Sequence, residues 1–124
     1  MHRVAADTPW QPEPFIIDER FLAVDVRNKG LVVFSGCSHP GIVNMRLHAQ
    51  ACFPNSRFHA VVGGFHRSGA SEAIIPETVH DLARLGLDHI ITGHCTGWMA
   101  LSALQDAPGD QVAVPLAVGK MFSL

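Results

Sequence analysis

The stretch VVFSGCSHPG, residues 32–41, decides the fold, because two later stretches repeat its design. VVGGFH follows at residues 61–66 and IITGHCTG at residues 90–97. Each stretch begins as a short apolar strand and ends in a loop of small residues that carries one histidine. Successive histidines are 27 and 28 residues apart, which is the length of one strand–helix unit. The spacing therefore predicts that a strand–loop–helix unit recurs along the chain.

The flanking sequence predicts the remaining elements and an α/β fold with a mixed sheet. Phe21–Val26 and Leu31–Phe34 are rich in β-forming residues and are joined by the turn sequence RNKG, which indicates a hairpin. A first helix follows Pro40 and is expected to bury Cys52 and Phe53 on its apolar face. Two more helices are predicted from about Pro76 to Gly86 and over Trp98–Gln105, and two closing strands at Gln111–Val114 and Ala117–Phe122.

Composition places the chain among single-domain globular proteins. It has 124 residues, 48% of them hydrophobic and 16% charged, with a formal net charge of −2. This balance gives no basic face for nucleic acid, and no apolar run is long enough for a membrane span. Residues 1–14 are interpreted as an irregular N-terminal arm and residues 15–124 as the folded part. Three cysteines form no disulfide framework, which favours a cytoplasmic protein.

His39, His66 and His94 are the candidate metal ligands. If the three strands are parallel and adjacent, their carboxyl ends lie along one edge of the sheet, where open α/β sheets bind ligands. Converging neutral imidazoles suit a divalent transition metal, with Zn as the first candidate and Fe, Mn or Ni as alternatives. The competing interpretation is that each histidine independently stabilises its own turn. The other histidines, His48, His59, His80 and His89 among them, are expected at the surface or at an edge.

Five neighbours of these histidines are candidates for outer-shell or substrate contacts: Cys37, Ser38, Arg67, Cys95 and Thr96. A thiolate is a strong zinc ligand and a nucleophile, but a small cysteine also packs well in a tight loop, and packing is the favoured interpretation for both cysteines. The guanidinium of Arg67 is suited to a phosphate or carboxylate, or else it is a solvated loop group. Asp18 and Glu19 are placed at the edge before the first strand.

The sequences GCSHPGI from Gly36, GGFH from Gly63 and GHCTG from Gly93 together resemble one known family. They are similar to the carboxyl-terminal half of the metallo-β-lactamase superfamily, in the branch of dihydropterin–ribofuranosylaminobenzene-phosphate synthase-like metal-dependent hydrolases. The resemblance extends over about residues 15–122. It implies half of an αββα sandwich, with helices on one face of the sheet and metals bound at the sheet edge.

The same resemblance implies roles for the three histidines. His39 matches a ligand of the first metal and His94 a ligand of the second. His66 stands where many members have a bridging aspartate, and a neutral imidazole, with one available lone pair, does not bridge two ions as a carboxylate does. The superfamily signature H-x-H-x-D-H occurs nowhere in these 124 residues. The chain is thus expected to encode only half of the metal site.

Two functions from different classes follow from these observations. The first is part of a metal-dependent hydrolase that attacks a phosphate ester or similar bond of a small-molecule substrate with an activated water, the isolated chain being inactive. The second is a non-catalytic metal-binding or assembly module that retains the half-fold. In either case an uncovered sheet face predicts a homo-oligomer or a partner chain that supplies the amino-terminal half.

Overall fold

The computed structural model describes residues 19–107 and 112–124. The predicted arm at residues 1–14, Asp18 and Gln111 lie outside these residues, so the domain boundary stays a prediction. The described part contains five strands and three α-helices, with 3₁₀ turns at Gly69–Ile74 and His94–Thr96. The elements are β1 (Phe21–Val26), β2 (Gly30–Ser35), α1 (Ile42–Cys52), β3 (Phe58–Gly64), α2 (Ile75–Arg84), β4 (His89–Gly93), α3 (Trp98–Asp106) and β5 (Ala113–Pro115).

The strands form one mixed sheet in the order β1-β2-β3-β4-β5, which confirms the predicted fold class. β1 and β2 are the predicted antiparallel hairpin, and β2, β3, β4 and β5 run parallel to one another. The hairpin turn takes left-handed backbone angles at Asn28 and Gly30, which the turn sequence favours. Because β2, β3 and β4 are parallel neighbours, the loops that follow them lie along the same edge of the sheet. We call this edge the rim.

The three helices cover one face of the sheet. Val33, Val61 and Ile90, which are paired across β2, β3 and β4, belong to the same buried cluster as side chains from all three helices. The helical members of that cluster are Ile42, Met45, Ala49, Ile75, Val79, Leu82, Ala100 and Leu104. Each parallel strand is thus connected to the next through a helix on this face, as the strand–helix spacing predicts. Gly86 follows α2 with a φ of 61°, the left-handed position predicted for it.

The opposite face of the hairpin carries large apolar side chains at the surface. Leu22 is 61% exposed, and Val24 and Phe34 are also exposed, on the side away from the helices. Leu22 and Phe34 are directly paired across the two strands. These side chains therefore form an apolar surface, which we call the open face. Within residues 19–107 and 112–124, no helix is long and apolar enough to span a membrane.

Three expectations from the sequence are wrong. Cys52 and Phe53 are exposed, because α1 ends at Cys52 and the non-helical backbone of Phe53 does not continue the apolar face. His59 is buried, and its Nδ1 is hydrogen-bonded to Asp88 at the amino-terminal ends of the neighbouring strands β3 and β4.

The predicted last strand also does not form. After Pro115 the described chain is irregular, with a turn in which the Lys120 amide donates to the Ala117 carbonyl. Gly119 has a φ of 80° in that turn, and Val118 is fully exposed. Apolar alternation alone therefore predicted a strand where the backbone turns away from the sheet.

Candidate metal centre

The loops after β2, β3 and β4 are tied to one another by backbone hydrogen bonds at the rim. The Gly64 amide donates to the Gly36 carbonyl at 3.1 Å, which joins the first loop to the second. The Arg67 amide donates to the Cys95 carbonyl at 3.1 Å, which joins the second loop to the third. The three similar sequence stretches therefore form one continuous structure.

Close approach of the loops requires glycine at two positions of β3. Gly63 has a φ of 138°, and a Cβ there would lie 2.0 Å from the Ser35 carbonyl oxygen. A Cβ on Gly64 would lie 2.7 Å from the Cys95 sulfur and 2.8 Å from the Gly36 carbonyl oxygen. Any larger residue would push the loops apart, so the two glycines bring the side chains of the rim within reach of one another.

Each of the three loops also holds one non-glycine residue in a left-handed conformation. The φ angles are 56° at Ser38, 46° at His66 and 53° at His94. Such conformations cost free energy for residues with a Cβ and are concentrated at functional sites. The rim therefore has the backbone signature of a binding site in all three loops, including at two of the predicted ligands.

Cys37, His39 and His66 bring their ligand atoms together in one cluster. One ligand atom of each side chain lies within 4.8 Å of the others. The Cys37 sulfur is 3.5 Å from Nδ1 of His66, and the rings of His39 and His66 meet edge to face with their centroids 4.7 Å apart. One thiol and two imidazoles are a donor set that fits zinc, so the residues present are suited to the metal that the sequence predicts.

Glu19 orients the His39 ring, a contact that the sequence did not predict when it placed Glu19 only at the edge before the first strand. Its Oε2 lies 2.8 Å from Nδ1 of His39, and its Oε1 accepts a hydrogen bond from the Ser38 amide at 3.1 Å. A carboxylate on Nδ1 fixes the ring and leaves Nε2 available, which is the usual support for a metal-binding histidine. A signal for this pair existed in the predicted hairpin. In that hairpin Val26 is paired with Gly30 and Phe21 with Ser35. Extending the same register by two residues places Glu19 opposite Cys37.

His94 lies at the rim but is not part of the cluster of ligand atoms. It is exposed and lines a pocket of about 470 Å³ beside that cluster. The other residues that line the pocket are Glu19, Arg20, Gly36, Cys37 and His39. His94 therefore faces the same space as His39, while the third ligand atom near His39 and His66 comes from Cys37.

Cys37 and Cys95 are in direct contact across the rim. Their sulfur atoms are 2.6 Å apart, both cysteines are half-buried, and neither is in a disulfide. Burial raises the pKa of the Cys37 thiol to about 12, with further contributions from Cys95 and from the negative charge of Glu19. Without a metal, Cys37 is therefore a neutral thiol at physiological pH. A bound divalent cation reverses this preference, because a coordinating thiol is deprotonated.

The two hydroxyl candidates are buried and make hydrogen bonds within the protein. Ser38 contacts the Ser35 hydroxyl at 2.6 Å, and Thr96 accepts a hydrogen bond from the Phe65 amide at 3.0 Å. The Thr96 hydroxyl also donates to the Gly93 carbonyl at 2.7 Å. Both side chains therefore stabilise the loops that present the histidines.

Arg67 is buried, so the alternative of a solvated loop residue is wrong. Only 6% of the residue is exposed, Nε donates to the Thr78 hydroxyl at 3.2 Å, and one terminal nitrogen donates to the His66 carbonyl at 2.9 Å. Burial lowers the pKa of its guanidinium, while Cys95 acts in the opposite direction. Arg67 thus connects the His66 loop to α2 and is placed to hold the unusual backbone of His66.

Comparison with solved structures shows the class of protein to which this chain is similar. The fold is similar to a solved structure of a metal-dependent hydrolase of the β-lactamase superfamily, with a TM-score of 0.73 and 32% sequence identity. That likeness covers 84% of this chain and 40% of the hydrolase.

Sequence comparison gives a more specific relative within this class. The chain is 46% identical over 83 residues to the 7,8-dihydropterin-6-methyl-4-(β-D-ribofuranosyl)-aminobenzene-5′-phosphate synthase of Methanocaldococcus jannaschii, a match that covers 67% of this chain and 28% of the synthase. No family model matches the chain. The resemblance to this superfamily and this branch, predicted from the three motifs, is confirmed. The chain spans well under half the length of either relative.

Proposed function

We propose that this chain supplies one part of the metal site of a metal-dependent hydrolase of the metallo-β-lactamase type. The observation that carries the proposal is the cluster of Cys37, His39 and His66 at the rim, with Glu19 bonded to the His39 ring. The cluster is accompanied by a carboxylate on Nδ1 of His39 and by a left-handed residue in each of the three loops, and both features are typical of functional sites. The likeness to a metal-dependent hydrolase supports the same function.

His39, His66 and Cys37 would hold a divalent ion, with zinc as the first candidate because the donor set combines sulfur and nitrogen. His94, which lines the same pocket, is the candidate ligand for a second ion or for the substrate. A bound divalent metal supplies polarisation of a phosphoryl or acyl oxygen and activation of an attacking water molecule. Glu19 keeps the His39 ring in one orientation, and Thr96 and Arg67 hold the loops in place.

The substrate class we propose is a small phosphate ester or a related molecule. The pocket beside the cluster brings Arg20 and His94 close to the candidate ligands, and a cationic side chain suits an anionic substrate. The relative from Methanocaldococcus jannaschii is named for a product that carries a 5′-phosphate. Both observations favour a phosphate-bearing substrate over a neutral one.

The rest of the site would come from outside these 124 residues, either from the same protein or from a partner chain. The sequence has no H-x-H-x-D-H motif, and the open face formed by Leu22, Val24 and Phe34 is an apolar surface of the kind that the other half of a sandwich covers. We therefore expect the isolated chain to be inactive and to self-associate through this face. Light scattering at micromolar concentration should show a dimer or larger species, and a clean monomer would contradict the expectation.

Cytoplasmic localisation is part of the same proposal. Cys37, Cys52 and Cys95 are all free thiols, and a reducing compartment keeps them so. Fractionation of the source cells should recover the protein with the cytoplasmic fraction, and recovery with secreted proteins would contradict it.

Metal binding tests the proposal directly. Purified chain titrated with zinc against a chelator of known affinity should bind the ion, and His39→Ala should weaken the affinity by about 100-fold or more, because a direct ligand costs at least as much as its supporting carboxylate. His80→Ala is the matched control, since His80 is exposed on α2, contacts Arg84, and belongs neither to the cluster nor to the pocket. Equal zinc affinity in all three proteins would overturn the proposed metal site.

A further inference from the structure

We propose that Cys37 and Cys95 form a reversible disulfide, and that its formation removes the Cys37 sulfur from the candidate metal site. The inference rests on the proposed function for its second half, while the disulfide itself follows from the contact between the two cysteines. Metal affinity at the rim would then depend on the thiol–disulfide balance around the protein. The chemical partner is a low-molecular-weight disulfide such as oxidised glutathione.

The two sulfurs are held in contact by the rim itself. They are 2.6 Å apart, closer than unbonded sulfur atoms normally approach, although the residues are 58 positions apart in the sequence. The His66 amide donates to the Cys95 sulfur at 3.2 Å, and the absence of a side chain at Gly64 leaves room for that sulfur. The two sulfurs are thus already in contact, and a long separation between cysteines is the usual obstacle to a disulfide.

Competition with the metal follows from the position of Cys37. Its sulfur contacts the Cys95 sulfur and also lies 3.5 Å from Nδ1 of His66. A thiolate donates to the metal, whereas a sulfur in a disulfide has no negative charge and is a poor ligand. The Cys37 sulfur therefore cannot bind the metal as a thiolate while it is part of a disulfide. Oxidation would leave His39 and His66 as the only members of the cluster with a ligand atom.

The reaction balances as a thiol–disulfide exchange. Cys95, as its thiolate, attacks one sulfur of oxidised glutathione, forms a mixed disulfide and releases one glutathione thiolate. Cys37 then loses its proton, attacks the Cys95 sulfur as the thiolate, forms the protein disulfide and releases the second glutathione thiolate. The protons of the Cys37 and Cys95 thiols are transferred to the two released glutathione thiolates. Two protein thiols are oxidised, one small disulfide is reduced, and excess glutathione reverses the reaction.

The pocket gives small thiols and disulfides access to Cys37, and Cys95 is in direct contact with it. Cys37 lines the pocket of about 470 Å³, and neither cysteine of the pair is fully buried. Cys52 is exposed on α1 and would react with the same reagent, so its thiol must be removed before the pair is measured. The test uses the full chain carrying Cys52→Ser, which leaves Cys37 and Cys95 as the only thiols.

The experiment loads this Cys52→Ser protein with zinc and exposes it to oxidised glutathione. Peptide mapping should find a Cys37–Cys95 disulfide, zinc should appear in solution in proportion to it, and dithiothreitol should restore both the thiols and the bound zinc. Adding Cys95→Ser, which keeps the Cys37 ligand, should cut oxidant-driven zinc release at least tenfold. Circular dichroism of each variant confirms that it is folded, and Cys37→Ser serves as a second variant that cannot form the disulfide.

Failure of this inference is distinct from failure of the proposed function. Zinc binding by the reduced protein without any Cys37–Cys95 disulfide under oxidant would overturn the inference and leave the metal site standing. A disulfide that forms while zinc stays bound would overturn the competition. Absence of zinc binding by the reduced protein would overturn the metal site and the competition together, and the disulfide would still be read by peptide mapping.

Discussion

The molecule contains two pairs of a carboxylate and an imidazole, at opposite ends of the sheet. At the rim, Glu19 lies 2.8 Å from Nδ1 of His39, and the His39 side chain is 41% exposed. At the amino-terminal ends of β3 and β4, Asp88 lies 2.6 Å from Nδ1 of His59, whose side chain is 4% exposed. In both pairs a carboxylate contacts Nδ1 of an imidazole, and the pairs differ in what surrounds the rest of the ring.

That difference separates a candidate ligand from a structural residue. The His39 ring meets the His66 ring, and Cys37 offers a third ligand atom beside the same pocket. The second nitrogen of His59 is buried and has no hydrogen-bond partner among the described residues. A carboxylate on one nitrogen therefore does not by itself mark a metal ligand, whereas further ligand atoms gathered beside the ring do.

The tight packing of the rim gives the largest expected effect. Gly64→Ala would place a methyl group against the Cys95 sulfur and the Gly36 carbonyl, so we expect a loss of about 1–3 kcal/mol in the free energy of unfolding. Gly36→Ala is the matched control, because a Cβ there meets nothing within 4 Å. Its effect should stay within about 0.5 kcal/mol. Urea unfolding of both variants measures the difference, and equal losses would show that the rim is not tightly packed at Gly64.

Exchanging the two carboxylates for amides compares the pairs directly. Glu19→Gln should weaken zinc affinity by about tenfold or more, because the amide has no charge with which to support the His39 ring. Asp88→Asn makes the same chemical change at the other end of the sheet and should leave zinc affinity unchanged. Chelator competition measures both affinities. A similar loss in both variants would mean that the effect comes from overall stability and not from the rim.

The fold was predictable because its signals are local. The hairpin turn at Asn28 and Gly30 depends on neighbouring residues, and the strand–helix units are each complete within about 28 residues. Once β2, β3 and β4 are parallel neighbours, the meeting of their loops follows from topology. The strand predicted at Ala117–Phe122 failed, because a strand also needs a partner and nothing local supplies one.

The composition of the cluster was less predictable, because it depends on side-chain direction. Packing was the favoured interpretation for Cys37, yet its sulfur reaches His66, which the loop sequence does not indicate. Glu19 comes from a segment before the edge strand, and its contact with His39 joins residues that are 20 positions apart. His59 looked like an edge residue because its partner, Asp88, lies in a different strand–helix unit.

The smallest expected effect concerns the stability that Asp88 contributes. Hydrogen bonds from His59 first and from Arg57 second lower the pKa of Asp88 below its ordinary value of 3.8. A lowered pKa in the folded state means that the carboxylate stabilises the protein fully above that ordinary value. The stabilisation is lost as the pH falls below 3.8 and through the lowered value.

Asp88→Asn should therefore cost about 1 kcal/mol at pH 7, a modest amount because the Asp88 side chain is 36% exposed. The difference between this variant and the unsubstituted protein should shrink as the pH falls below 3.8. Asp25→Asn, on the exposed part of β1, is the control and should change stability by less than about 0.5 kcal/mol at either pH. Urea unfolding at pH 7 and in acid measures all three proteins. If the loss in free energy of unfolding for Asp88→Asn stays constant into acid, the charge of this carboxylate does not stabilise the contact between β3 and β4. The difference between the two carboxylate–imidazole pairs would then rest on burial alone.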